Sequence, residues 1–151
     1  ISKQNRFLLA RSANILTADF GTPLSLNQAA EKIGVQSAAL EKALKLGVKL
    51  GDYLQVDKNR YLRKTSVTKL KATAIYLASR SPDGFFTTNE YRNEVNLGRN
   101  FIISLLQYFD QIGFTTRIGE NRKIRSCSAN HKSLLKEKKR ENNKMNKFFN
   151  D

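Results

Sequence analysis

The chain contains an internal repeat, in which residues of the first half recur 62 positions later. Gly51 aligns with Gly113, and the segment Asp57–Arg63 aligns with Gly119–Arg125, where one asparagine and two arginines are identical. Carried back toward the N-terminus, the same offset pairs apolar residues with each other, such as Leu40 with Ile102. Because each repeat of such a chain folds as one supersecondary unit, the offset predicts two copies of one small module.

The second copy predicts three helices in succession. Apolar residues recur at three- and four-residue steps over residues 67–78, which indicates one apolar helix face. Thr87 and Glu90 have the spacing of a capping box, which opens a second helix. The apolar spacing over residues 102–112 predicts the third helix, and Gly113 ends it as a C-terminal glycine.

The remainder of the second copy predicts a β-hairpin. Residues 114–118 and 122–125 form two short β-prone runs, and the tip between them contains Gly119. Three helices followed by a hairpin make a winged helix, in which the hairpin is the wing. The first copy predicts the same elements, with helices near residues 4–18, 26–33 and 37–50 and a wing near residues 53–63.

These elements define the expected fold class and the domain boundaries. We predict an α+β protein, mainly α with small β-wings, that consists of two tandem winged-helix (helix-turn-helix) domains. The first domain is expected at residues 1–64 and the second at residues 65–127. Residues 128–151 are rich in Lys, Glu and Asn and poor in apolar side chains, which predicts a basic, flexible C-terminal tail.

The balance of charge restricts the class of partner. The 151 residues include 27 Lys and Arg against 13 Asp and Glu, a formal net charge of +14. A protein with this field attracts polyanions, and nucleic acid is the polyanion that we expect. Lys42, Lys45 and Lys49 interleave with apolar residues on the third helix of the first copy, either as a nucleic-acid contact or as a solvated face.

Sequence signatures of catalysis, metal binding and membrane insertion are absent. The chain has no G-x-x-x-x-G-K-[ST] phosphate loop and no H-E-x-x-H motif. One cysteine, Cys127, and one histidine, His131, can form neither a zinc site nor an intrachain disulfide. No apolar run approaches the ~20 residues that a membrane-spanning helix needs. We therefore expect a soluble, monomeric binding protein with no enzymatic activity, no cofactor and no metal.

A more specific pattern lies in the second copy. Residues Tyr91–Asn100 read YRNEVNLGRN, and residues Leu105–Arg117 read LLQYFDQIGFTTR. This pattern resembles the last winged-helix domain of bacterial selenocysteine-specific elongation factors, the SelB family, which has F-R-D-x-L-G-x-G-R-K and L-E-Y-F-D-R-x-G-x-T-x-R there. The run Tyr108–Thr115 is the most specific part. Residues 58–63 also resemble the wing of the preceding domain in that family.

The resemblance implies a function in translation. In that family an N-terminal GTPase part carries selenocysteinyl-tRNA, and the C-terminal winged helices hold the SECIS hairpin that follows an in-frame UGA codon in the mRNA. The chain would be the mRNA-binding part that tethers the factor, and we expect a fragment of a longer protein because Ile1 stands where Met would. The expected partners are the mRNA hairpin and, for the full-length factor, selenocysteinyl-tRNA, GTP and the ribosome. This implies a cytoplasmic protein that binds no membrane.

The resemblance also implies an RNA-binding surface at the starts of the second and third helices and beside the wing. The residues of this chain at those places are Arg92, Asn96, Arg99, Asn100, Arg117, Asn121, Arg122 and Lys123. Free backbone amides at the start of the third helix also favour phosphate. Asn100 stands where the family has Lys, so we expect a phosphate contact to be lost there or replaced by a hydrogen bond.

Two other functions remain open on the sequence alone. The first is a DNA-binding transcription regulator, since winged helices commonly place the third helix in the major groove. Such a protein would expose several base-reading side chains along that helix, where this chain has Phe101, Ile103 and Ser104. The second is a protein-interaction module, which fits the fold but leaves the net charge of +14 unexplained.

Overall fold

The computed structural model describes residues 1–19, 21–125 and residue 140. The predicted tail at residues 128–151 thus lies outside the described residues, except for residue 140. The chain divides into two compact units, Ile1–Val67 and a second that begins at Thr68. Across the described ranges, no helix has both the length and the apolar character needed to cross a membrane.

The first unit contains three helices and one hairpin. Its elements are α1 (Lys3–Ser12), α2 (Leu26–Ile33), α3 (Ser37–Lys49), β1 (Tyr53–Asp57) and β2 (Arg60–Arg63). The two strands are antiparallel, with Leu54 opposite Leu62. The helices and strands enclose one core, whose members include the fully buried side chains of Leu8, Leu44 and Tyr61.

Helix α1 is shorter than the predicted range of residues 4–18. The amides of Ile15 and Leu16 both donate to the carbonyl of Ser12, so the chain turns there instead of continuing as a helix. The turn buries Leu16 completely, and the carbonyl of Leu16 accepts a hydrogen bond of 3.1 Å from the amide of Arg63. The segment after α1 thus contacts a residue far along the chain, and apolar spacing could not indicate such a contact.

The second unit contains three helices and a small sheet. Its elements are α4 (Lys64–Arg80), which begins in the first unit, β3 (Phe85–Thr87), α5 (Thr88–Val95), α6 (Arg99–Gln111), β4 (Thr115–Ile118) and β5 (Asn121–Ile124). The strands form an antiparallel sheet in the order β3-β5-β4. Strand β3 was not predicted, because three residues are too few to show an alternating pattern. The predicted fold class, a mainly helical α+β winged-helix protein, is confirmed.

The two units repeat each other in local detail at the sequence offset. Both second helices begin with a capping box, Ser25 with Gln28 in α2 and Thr87 with Glu90 in α5. Both third helices, α3 and α6, span 13 residues. Because reciprocal capping satisfies amides that the helix itself leaves free, these boxes explain why both helices start where the sequence indicates.

The second helix of each unit ends on a residue in the left-handed conformation. Gly34 has φ 85° at the end of α2, and Asn96 has φ 55° at the end of α5. Asn96 is the one non-glycine residue with positive φ among the residues described. Asparagine tolerates this conformation better than other residues with a Cβ atom, so Asn96 has a backbone role whatever it binds.

We expect Asn96→Ala to lower the free energy of unfolding by about 1 kcal/mol, because alanine pays the steric cost of the left-handed conformation. Asn96→Gly should be as stable as the wild type, since glycine adopts this conformation freely. Denaturant titration of both variants measures the difference. Equal stability of the alanine and glycine variants would contradict the backbone role.

Candidate nucleic-acid interface

A concave surface lies in the second unit among α5, α6 and the wing. The cavity has a volume of about 490 Å³. Its lining residues are Thr87, Thr88, Asn89, Arg92, Arg99, Ile103, Gln107, Arg117, Glu120 and Arg122. Four of these are arginines and one is a carboxylate, so the lining carries a net positive charge. We call this surface the arginine cavity.

Two of the predicted residues reach the cavity from helices. Arg92 lies on α5, and Arg99 is the first residue of α6. The left-handed Asn96 reverses the chain between the two helices, and the largely buried Leu97 anchors the turn. Both guanidinium groups are exposed, and within the described part of the chain neither forms an ion pair. They are therefore available to an anionic ligand.

The third exposed arginine of the cavity belongs to the wing. Arg117 lies on β4, and its Nε atom donates a hydrogen bond of 2.9 Å to the carbonyl of Gly119 at the tip. Across the hairpin, Arg117 stands opposite Arg122 of β5. Directly opposed residues of an antiparallel pair have side chains on the same face, so both arginines face the cavity. Arg117 thus keeps an exposed charge beside the helices.

Arg122 differs from the other arginines of the cavity, because it is buried and paired. Its side chain is 5% exposed, and its Nη2 atom lies 3.0 Å from Oδ2 of Asp110 on α6. The Nε atom lies 3.2 Å from both oxygens of that carboxylate, and Nη1 donates to Oγ1 of Thr88 at 3.1 Å. Each of its three nitrogens thus donates inside the unit, and the role of Arg122 as an RNA contact stays a prediction.

The other predicted contacts lie outside the cavity lining. Asn96, Asn100, Asn121 and Lys123 are exposed, but none of them lines the arginine cavity. The Nζ atom of Lys123 is 5.9 Å from the ring centroid of Phe85, in a cation–π arrangement. The structure therefore brings the four predicted arginines together at the cavity and leaves these four residues outside it.

The cavity also contains polar residues that were not among the predicted contacts. Asn89 precedes Arg92 by one helical turn on α5. Arg99, Ile103 and Gln107 follow one another at four-residue steps, which places them on one face of α6. The signal that could have identified Asn89 and Gln107 was this spacing from the predicted arginines.

The corresponding surface of the first unit lacks the three exposed arginines. At the 62-residue offset, the three exposed arginines are replaced by Ala30, Ser37 and Gln55. The hydroxyl of Ser37 donates to the side-chain oxygen of Asn27 at 2.7 Å, so it is occupied locally. The arginine cavity is thus a property of the second unit and not of the repeated fold. In the described ranges no cluster of His, Cys, Asp and Glu could hold a metal ion.

Sequence comparison identifies relatives of this unit. Residues 79–124 match the family model of the winged helix of elongation factor SelB. The selenocysteine-specific elongation factor of Escherichia coli (strain K12) is 26% identical over 105 residues. That match covers 70% of this chain and 17% of the relative, so the chain spans under a fifth of the relative's length.

Structural comparison gives matches of the same kind. The mRNA-binding domain of elongation factor SelB from E. coli, solved in complex with SECIS RNA, superposes with a TM-score of 0.72 at 25% identity, covering 83% of this chain and 100% of that one. The bacterial selenocysteine-specific elongation factor EF-Sec superposes with a TM-score of 0.61 at 19% identity, covering 83% of this chain and 19% of that one. The second match shows the fold alone. The resemblance to the C-terminal winged-helix domains of SelB is therefore confirmed.

Proposed function

We propose that this chain is the mRNA-binding part of a selenocysteine-specific translation elongation factor and that it binds the SECIS hairpin downstream of an in-frame UGA codon. Binding to the hairpin would hold the factor beside the codon that it decodes. The observation that carries this proposal is the arginine cavity, because three exposed arginines converge in the unit that matches the SelB winged helix.

The chemistry of the cavity suits a folded RNA. Duplex RNA hides its base edges in a narrow groove, so proteins recognise loops and bulges and hold the adjacent backbone. Guanidinium groups of Arg92, Arg99 and Arg117 bind phosphate through paired hydrogen bonds. The side-chain amides of Asn89 and Gln107 supply donors and acceptors for the edge of an unstacked base.

We further propose distinct roles for the predicted contacts. Arg92, Arg99 and Arg117 contact the RNA from inside the cavity. Asn96, Asn100, Asn121 and Lys123 are flanking contacts, which their exposure supports. We also propose that residues 1–64 and 65–127 are the two domains of the chain and that the second domain binds the RNA.

The geometry of α6 favours RNA over the alternative of a DNA-binding regulator. A major-groove reader needs a projecting helix whose polar face is open. Here Arg99, Ile103 and Gln107 all line the concave cavity beside the wing, and Phe101 is buried. A single bulged nucleotide can enter such a cavity. The major groove of a straight duplex cannot easily receive α6, because the residues on this face of the helix line a concave surface.

The decisive experiment compares ligands across a range of salt. We expect affinity for every polyanion to fall steeply between about 50 and 200 mM salt, because phosphate contacts release counterions. The preference for a bulged RNA hairpin over duplex DNA of equal charge should persist at each concentration. Fluorescence anisotropy measures both, with a hairpin that lacks the bulge as the control. Equal affinity for the hairpin and duplex DNA would favour the regulator.

The activity of the whole factor is the wider part of the proposal. The chain is a binding module, and a GTPase part in the remainder of the protein would bind GTP and carry selenocysteinyl-tRNA to the ribosome in the cytoplasm. The match to 17% of a selenocysteine-specific elongation factor supports this arrangement. We propose that the module acts as a monomer. The simplest test is whether the gene encodes a GTPase domain upstream in the same reading frame.

A further inference from the structure

A polar network lies beneath the arginine cavity and joins four elements of the second unit. Asp110 of α6 is paired with Arg122 of β5 at 3.0 Å. The same carboxylate accepts a hydrogen bond of 2.6 Å from Oγ1 of Thr115 on β4. Arg122 in turn donates to Thr88, the first residue of α5. The network therefore ties the wing to both helices that carry the cavity arginines.

The first unit builds the same elements without this network. At the 62-residue offset, Arg122 corresponds to Arg60, but its three partners do not recur: Asp110 corresponds to Val48, Thr88 to Leu26, and Thr115 to Tyr53. Leu26 and Tyr53 are buried in the core of the first unit, and Val48 packs against it. Apolar and aromatic side chains at these positions thus suffice for the winged-helix fold, so the fold itself does not require the ion pair.

Retention of the pair has an energetic cost. Removing two charges from water is expensive, and apolar residues of similar volume often replace a buried ion pair without loss of stability. Arg122 also lies directly opposite Arg117 across the hairpin, where like charges repel. Asp110 neutralises Arg122 and thereby allows Arg117 to stand beside it in the cavity.

We propose that Arg122 and Asp110 form a positioning pair, which fixes the wing strand bearing Arg117 against the helices bearing Arg92 and Arg99. The pair serves RNA binding and not folding, and it acts through Arg117 without touching RNA itself. This inference rests on the proposed function for its RNA readout, but the placement of the wing can be measured without RNA.

The test replaces the pair by apolar residues, of which valine at position 110 is the one that the first unit has at the equivalent position, Val48. In the Asp110→Val/Arg122→Met variant of the full chain we expect a melting temperature close to that of the wild type. Affinity for the bulged hairpin should fall at least about tenfold, because misplaced binding groups lose most of their contribution. Amide hydrogen exchange of β4 and β5, measured without RNA, should become faster while the core of α6 stays protected.

Two further variants separate positioning from loss of charge. Glu41→Gln/Lys45→Gln removes an exposed ion pair of the first unit, in which Nζ and Oε1 are 3.5 Å apart. Like the Asp110→Val/Arg122→Met variant, it leaves the net charge unchanged, and it should bind RNA as the wild type does. Arg122→Lys keeps the charge but loses the planar fork, so we expect faster wing exchange and weaker RNA binding in a folded protein. Arg117→Gln should reduce the affinity for RNA by a smaller factor in the Asp110→Val/Arg122→Met variant than in the wild type.

Each outcome bears on the proposal. Wild-type affinity and wild-type wing exchange in a folded Asp110→Val/Arg122→Met variant would overturn it. Unfolding of that variant would also overturn it, since the pair would then serve the fold. If the wild type shows no preference for the hairpin but wing exchange still accelerates in the variant, the proposed function fails and the positioning role stands.

Discussion

Replacing Arg92, Arg99 and Arg117 together by glutamine is expected to weaken binding of the bulged hairpin at least about 100-fold. Each lost charge-assisted hydrogen bond contributes about 1.5–3 kcal/mol, and about 1.4 kcal/mol corresponds to a factor of ten. All three side chains are exposed, so the melting temperature should stay near that of the wild type. Anisotropy titration and thermal unfolding measure the two effects.

For Arg99→Ala alone we expect the binding free energy for the hairpin to weaken by about 1–3 kcal/mol.

A matched variant distinguishes the cavity from the general field of a chain with net charge +14. Lys42→Gln/Lys45→Gln/Lys49→Gln removes the same number of positive charges, three, from exposed positions of α3 in the first unit. Its effect on hairpin affinity should be several times smaller and should largely disappear as salt is raised. A loss as large as that of the arginine variant would show that charge alone, and not the cavity, determines binding.

Most of the fold was predictable because its signals are local. A capping box and a left-handed residue mark both ends of α2 and α5, and the apolar spacing of α6 fits a single buried face. Helix α1 and strand β3 were mispredicted for the opposite reason. The segment after α1 contacts Arg63, and β3 pairs with β5, so both involve residues that are distant in the sequence.

The site was predictable only in part. Its exposed arginines follow from resemblance to the SelB pattern together with their places at helix starts and on the wing. The environment of Arg122 did not follow, because it depends on a carboxylate 12 residues away in the sequence. Lys123, its neighbour in β5, is exposed, so adjacent basic residues of one strand have opposite surroundings. Strand alternation predicts that they face opposite sides, but not which side is buried.

Removing Arg122 alone should lower the free energy of unfolding more than removing both Arg122 and Asp110. We expect Arg122→Ala to lower the free energy of unfolding by about 2–4 kcal/mol, because the carboxylate of Asp110 is left in a largely buried place without its cation. That carboxylate is 25% exposed, so water relieves part of the cost. Denaturant unfolding followed by circular dichroism measures the change.

The same basic strand offers a control for this prediction. Lys123→Ala removes an equal charge from the adjacent, exposed position and should change the free energy of unfolding by less than about 1 kcal/mol, the upper range for its exposed cation–π contact with Phe85. Adding Asp110→Val to Arg122→Ala should recover part of the loss, since it removes the uncompensated charge, although the cavity left by the arginine side chain remains. No recovery would mean that Arg122 stabilises the unit by packing and not by compensating the charge of Asp110.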